Sequence, residues 1–260
     1  MRVFPQVRLG KPLLMRLRRV PPSGRCHNGN FEWGSPATEV RGLSCAICSV
    51  RKEKRFCPAV HGRICPQCCG EQREFTLDCP SDCVYLQQAR QHQEPRRLED
   101  LPAEELFPAV DIPEQFLREH EPLLLGVWHT LAKRYGSDRD LTDREVIGAL
   151  ANMAKSYQTL VGSGLVYQEA MPSLAQQAIM DALRQLLQEF RELEQKHLGY
   201  ATLKDSEALK ALVFTLRLAN TQTSGRPRSR RFLDFLRERF PETPTSIATA
   251  DEPSSRIIVP

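Results

Sequence analysis

The sequence predicts a small metal-stabilised module followed by a mainly α-helical bundle. Eight of the nine cysteines lie within residues 45–83, a window that also contains His61. From about residue 112 the apolar residues recur every three to four positions, which is typical of amphipathic helices. The composition, 41% hydrophobic and 26% charged over 260 residues, excludes a collagen-like chain and a wholly disordered one.

The first forty residues are predicted to be a disordered basic leader. Residues 1–44 contain eight Lys or Arg and two Asp or Glu, together with Pro and Gly and without an apolar period. The net charge of the whole chain is +4, so the chain without its leader is slightly acidic. It therefore offers no chain-wide basic surface for DNA or RNA.

The compartment decides whether the cysteines form disulfides or bind metal. The longest apolar run in the first twenty residues is residues 12–15, which is too short for a secretory signal. No stretch approaches the roughly 18 apolar residues that span a bilayer. We expect a cytoplasmic protein that does not engage membranes, with thiols that are reduced or bound to metal.

The predicted module, residues 41–93, contains four pairs of metal donors. They are Cys45 and Cys48, Cys57 and His61, Cys65 and Cys68, and Cys79 and Cys83. Two cysteines two residues apart on a tight turn can both reach one ion at about 2.3 Å, and two such turns complete a tetrahedron. Sixteen residues separate the first CxxC from the second, a spacing typical of zinc sites.

The second and fourth pairs have i,i+4 spacing, which would place both donors on one face of a helical turn. Eight donors suit two zinc ions. We favour a crossed arrangement, in which the first and third pairs bind one ion and the second and fourth pairs bind the other. In the sequential alternative, each ion binds two consecutive pairs.

The doublet Cys68-Cys69 leaves one ligand open. Residues 65–68 are similar to a zinc knuckle, but the glycine that usually follows is replaced by Cys69. Either Cys68 or Cys69 could therefore be the ligand. Because the donors saturate the metal, we expect a structural site rather than a catalytic one. An iron–sulfur cluster is the alternative occupant.

The whole run of residues 45–92 resembles known zinc modules. The donor order is similar to that of the cross-braced zinc fingers of the RING, MYND and HIT type. The segments FCPAVHGRICPQCCG at 56–70 and DCPSDCVYLQQARQH at 78–92 also resemble an uncharacterised bacterial family. In that family a cysteine-rich module precedes a helical domain. The resemblance implies this organisation over residues 45–240 and implies no particular activity.

An acidic, proline-punctuated linker is predicted over residues 94–111, where helices cannot run through. Five helices are then predicted within a bundle over residues 112–240, from capping residues and glycines. They run from about Pro113 to Gly136, from Thr142 to Gly162 or Gly164, from Ser173 to Gly199, from Thr202 to about Leu218, and from Ser229 to Phe240. The tail, residues 241–260, is predicted to be flexible.

No phosphate loop, dinucleotide fingerprint or hydrolase motif occurs, and no small-molecule substrate is indicated. We expect a non-enzymatic zinc-binding adaptor or regulator that binds a protein partner. The alternative is a nucleic-acid-binding regulator using the arginine segment, which we define as Arg226, Arg228, Arg230 and Arg231. Salt bridges to acidic helix faces or to the linker would instead make this segment structural. A third hypothesis is a reactive thiol at Cys69.

Overall fold

The structure is a computed structural model that describes residues 44–165 and 173–241. The predicted leader and nearly all of the predicted tail lie outside the described residues. Within these ranges the protein is mostly helical. None of the described helices is both long enough and apolar enough to cross a membrane.

The cysteine-rich segment begins with a short antiparallel hairpin. Strand β1, Arg55–Cys57, pairs with strand β2, Gly62–Ile64, and Cys57 lies opposite Gly62. A single 3₁₀ turn, Pro58–Val60, joins the two strands. Two helices follow, α1 over Pro66–Gln72 and α2 over Val84–His92. Cys83 is the N-cap residue of α2.

Sulfur dominates the buried core of this segment. Six of its nine buried residues are cysteines, and the other three are Ile64, Leu77 and Leu86. All eight cysteines in the described part of the chain are free of disulfides. Three aliphatic side chains form too small a core to stabilise a segment of this size. Its order must therefore depend on an interaction among the sulfur atoms themselves.

The remaining elements are helices. After a 3₁₀ turn at Leu98–Asp100 come α3 (Ala103–Leu106), α4 (Glu114–Glu119), α5 (Glu121–Ser137), α6 (Asp143–Ser163), α7 (Leu174–Leu198), α8 (Asp205–Gln222) and α9 (Arg231–Arg239). Helix α6 packs against α7 and α8, while α5 packs against α7, α8 and α9. Their shared core includes Leu131, Leu150, Met153, Leu183 and Leu212, all fully or almost fully buried.

Two predicted helix starts are confirmed at the atomic level. Glu145 accepts a hydrogen bond from the backbone N–H of Thr142 at 2.9 Å, which closes the predicted capping box of α6. The hydroxyl of Ser173 accepts from the N–H of Gln176 at 3.1 Å at the start of α7. Gly164 and Gly199 end these helices with positive φ angles, 72° and 84°, which glycine adopts without strain.

The first predicted helix is divided in two. Helix α4 ends and α5 begins at His120, because Pro122 lies in the first turn of α5. A proline has no N–H to donate and its ring clashes with the carbonyl four residues earlier, so a continuous helix cannot pass through this position.

The fourth helix begins later than predicted, at Asp205 rather than near Thr202. The hydroxyl and the N–H of Thr202 both donate to Glu194 near the end of α7. Glu207 instead accepts from the N–H of Lys204 at 2.8 Å and caps the new start. The contact with Glu194 therefore keeps Thr202 from capping α8.

The last helix is capped by a residue from another helix. Asp143, the first residue of α6, is fully buried, and its carboxylate accepts from the Ser229 hydroxyl at 2.7 Å. It also accepts from the N–H groups of Phe232 and Leu233, each at 3.2 Å, in the first turn of α9. Burial raises the pKa of Asp143, and these donors oppose the rise. One carboxylate thus joins the starts of two helices.

We expect Asp143→Ala to lower the free energy of unfolding by about 3 kcal/mol, because it leaves three donors without an acceptor in the interior. Urea unfolding followed by circular dichroism measures this. Asp181→Ala is the control, since Asp181 is an exposed helical aspartate paired with Arg184, and it should cost less than about 0.5 kcal/mol. Equal losses in the two variants would contradict the assigned role.

Candidate metal centre

Four cysteines converge on one point in the structure. The sulfur atoms of Cys45, Cys48, Cys65 and Cys68 all lie within 4.8 Å of one another. Three of the residues are buried and Cys48 is half-buried. These are the first and third predicted pairs, and we call them the first cysteine set. The set could hold a metal ion.

Local backbone structure positions the first set. The chain turns over residues 46–48, where the N–H of Ser49 donates to the carbonyl of Cys45 at 2.8 Å. Cys65 is the N-cap of α1, and its sulfur accepts from the N–H of Cys68 at 3.4 Å. The N–H of Cys65 donates to the sulfur of Cys45 at 3.2 Å. Such N–H···S bonds orient thiolate ligands and stabilise their negative charge.

An arginine lies beside two of these sulfurs. One guanidinium nitrogen of Arg51 is 3.9 Å from both Cys65 Sγ and Cys68 Sγ. The interaction with Cys65 raises the pKa of Arg51. Because four thiolates around a divalent ion leave an excess of negative charge, a cation at this position stabilises the loaded site. Arg51 can thus offset part of the negative charge that the thiolates of a loaded site would carry.

Without a metal, the four thiols hold their protons very differently. Burial raises the pKa of Cys45, but N–H donors from Cys48, Cys65 and Ile47 lower it to about 6. Burial and the three neighbouring thiols raise the pKa of Cys68 to about 12. Because cysteines bind metal as thiolates, binding of an ion at this set releases protons.

The donor set has no vacant position. Four protein ligands complete a tetrahedron around zinc, whereas catalytic zinc sites keep one position for water or substrate. Thiolates also select zinc or iron–sulfur clusters over hard cations such as magnesium. With an ion bound to this set, all four positions of the tetrahedron would be taken by protein ligands, as in structural zinc sites.

Comparisons with protein-family models, with curated proteins and with solved structures found no match. The chemistry of this centre is therefore inferred from its own geometry.

Of the second and fourth predicted pairs, the structure places Cys57, Cys79 and Cys83 around one cavity, without His61. Cys57, Cys79 and Cys83 line an enclosed cavity of about 10 Å³, and the fourth cysteine in its wall is Cys69. His61 is exposed, with a left-handed φ of 48°, and is not among the residues that line this cavity.

The physical reason lies in the hairpin. Cys57 ends β1 and pairs with Gly62, so the four-residue spacing to His61 spans a hairpin connection with a single 3₁₀ turn rather than a turn of α-helix. Cys79 and Cys83 likewise flank a tight turn, in which the N–H of Cys83 donates to the carbonyl of Pro80 at 3.0 Å. The i,i+4 spacing therefore does not place either pair on a helix face.

The Cys68-Cys69 doublet is divided between two environments. Cys68 belongs to the first set, while Cys69 lines the cavity that Cys57, Cys79 and Cys83 also line. Consecutive residues on an α-helix point about 100° apart, so adjacent side chains on α1 face different neighbours. Sequence reasoning treated the two as competitors for one place. No helix was predicted across the doublet; such a prediction would have separated the two side chains.

The arginine segment contacts the cysteine-rich part of the chain. Arg226 donates to the carbonyls of Gly70 and Arg73, the former at 3.1 Å. Arg230 forms a salt bridge with Asp78 at 2.6 Å, and Arg231 donates to the carbonyl of Gln93 at 3.2 Å. Three of its four guanidinium groups are therefore used within the chain.

We expect Arg51→Gln to weaken zinc binding at the first set about tenfold, because the variant loses the cation beside two thiolates. Competition with a chromophoric chelator measures the affinity. Lys54→Gln is the matched control, since it removes an equal charge from an exposed neighbouring position for which no sulfur contact is seen. If the two variants bind zinc equally well, Arg51 has no role in the site.

Proposed function

We propose that the protein is a non-enzymatic zinc-binding adaptor or regulator, in which Cys45, Cys48, Cys65 and Cys68 hold one structural zinc ion. The observation that carries the proposal is the closed set of four thiols within 4.8 Å of one another. A set of this kind fits a role in organising a surface rather than a reaction.

The spacing of the sulfurs favours a single ion. In a tetrahedron with zinc–sulfur distances of about 2.3 Å, the sulfur atoms lie about 3.8 Å apart. A four-iron cluster would hold its cysteine sulfurs much farther apart, because the cluster itself lies between them. The upper limit of 4.8 Å therefore supports mononuclear zinc over the iron–sulfur alternative.

Exposed apolar side chains support a protein partner. Val50 is 86% exposed, and Phe56, Phe75 and Val84 are each more than half exposed, all in the cysteine-rich segment. Exposed apolar surface commonly marks binding sites for proteins. Because cysteines fill most of the buried core of this segment, these exposed side chains are available for contacts with another protein.

The nucleic-acid alternative has weaker support. Arg226, Arg230 and Arg231 hydrogen-bond to groups within the same chain, so their guanidinium groups are already engaged. A phosphate would have to compete with a salt bridge and with backbone carbonyls. We therefore favour the protein partner.

The metal proposal predicts that protein purified without added metal contains zinc by elemental analysis. Cys45→Ser should lose one equivalent, because one thiolate of the tetrahedron is gone. Ser49→Ala, an exposed substitution on the same turn, should keep it. If Cys45→Ser does not fold, cobalt substitution of the wild-type protein decides, since a thiolate-rich tetrahedral site gives intense charge-transfer bands. A metal-free wild type with a fully ordered cysteine segment would refute the proposal.

The adaptor proposal predicts that the zinc-loaded protein retains a partner from a nuclease-treated lysate. Phe56→Asp should lose it, because a charge replaces exposed apolar surface in the cysteine-rich segment. Leu193→Asp, at an equally exposed position on α7, should retain it. Binding that disappears after nuclease treatment and is restored by added RNA or DNA would favour the nucleic-acid alternative instead.

A further inference from the structure

In the described part of the chain, the four cysteines outside the first set share one enclosed cavity. Cys57, Cys69, Cys79 and Cys83 all line it, and its volume is about 10 Å³. This is close to the volume of one water-sized sphere, so the space suits a single ion rather than an organic ligand. Ile64, Leu77 and Leu86 complete its apolar wall. Cys57, Cys69 and Cys79 are buried and Cys83 is half-buried.

Each of the four cysteines comes from a different local structure. Cys57 ends β1, Cys69 lies on α1, Cys79 lies in the connecting loop, and Cys83 caps α2. Convergence of four thiols from four elements is hard to explain by packing alone, because aliphatic side chains fill such a core more effectively. A shared ion gives the convergence a physical cause.

Two arginines are directed at Cys69. Guanidinium nitrogens of Arg55 and Arg73 lie 3.7 Å and 3.8 Å from its sulfur. Arg55 also stacks over the ring of Tyr85, which holds its guanidinium in place. Two cations beside one sulfur are expected for a thiolate and are wasteful for a neutral thiol. Arg51 contacts the sulfurs of the first set in the same way.

We propose that Cys57, Cys69, Cys79 and Cys83 form a second structural zinc site, in which Cys69 takes the place predicted for His61. Helix α1 then supplies adjacent residues to different ions, Cys68 to the first and Cys69 to the second. Among the described residues, the sulfurs of this second set do not all lie within 4.8 Å of one another as those of the first set do. Zinc binding draws them inward by side-chain rotation.

The first experiment uses the full-length wild-type protein, purified without added metal. Elemental analysis should give two zinc ions per chain. X-ray absorption at the zinc edge should show four sulfur neighbours per zinc at about 2.3 Å and no nitrogen at about 2.0 Å. A site with His61 as its fourth ligand would give on average half a nitrogen per zinc and would overturn the proposal. One zinc per chain, or a disulfide between any of the four cysteines, would also overturn it.

Variants separate this proposal from the first zinc site. Cys69→Ser should retain one zinc, and His61→Ala should retain both. Loss of one zinc in His61→Ala, or two zinc ions in Cys69→Ser, would refute the second site. If the wild-type protein holds one zinc and Cys45→Ser holds none, the proposal for the first site stands and the proposal for the second site is refuted. Should Cys69→Ser fail to fold, the wild-type absorption spectrum and the His61→Ala stoichiometry still decide.

Discussion

The order of the cysteine-rich segment depends on the interaction that holds its sulfur atoms together, either disulfide bonds or a bound metal ion. Six of the nine residues in the segment's buried hydrophobic cluster are cysteines, and none of the described cysteines forms a disulfide. Three buried aliphatic side chains cannot offset the conformational entropy lost when about fifty residues become ordered. A structural zinc ion contributes on the order of 10 kcal/mol to folding. Metal binding to the first cysteine set, as proposed above, would supply the stabilisation that this small core does not.

The same segment is joined to the helices by buried charge rather than by a large apolar interface. Arg90 on α2 donates to Glu74 at 2.9 Å and to Asp234 on α9 at 2.7 Å. The other carboxylate oxygen of Glu74 accepts from the hydroxyl of Ser224 at 2.9 Å. Breaking a buried ion network is costly because it leaves a charge unpaired, so such a network fixes one arrangement of its elements. The arginine segment adds to this attachment, which explains why a basic stretch near the start of α9 can be structural.

Features set by local chemistry were predictable from the sequence, and those set by distant contacts were not. The caps at Thr142 and Ser173 act over three residues, and the two CxxC turns require only a tight turn each. The role of Asp143 depends on α9, almost ninety residues away, and the start predicted at Thr202 was lost to a contact with Glu194. His61 was chosen on the assumption of a helical turn, whereas the pairing of Cys57 with Gly62 creates a hairpin. In the proposed second site, Cys69 takes the place that spacing had given to the histidine.

Glu74 connects the proposed second zinc site to the helical part of the chain. Burial raises the pKa of the Cys79 thiol, the backbone of Glu74 opposes that rise, and the carboxylate of Glu74 accepts from Arg90. If an ion fixes Cys79, it also fixes the backbone that presents this carboxylate to Arg90. Loss of the ion would free Glu74 and leave Arg90 and Asp234 with an incomplete network. Because linkage between two equilibria is reciprocal, attachment to the helices would in turn strengthen zinc binding at the second site. In an adaptor built this way, the metal does more than fold a small segment, since it also fixes how that segment is presented beside the helices.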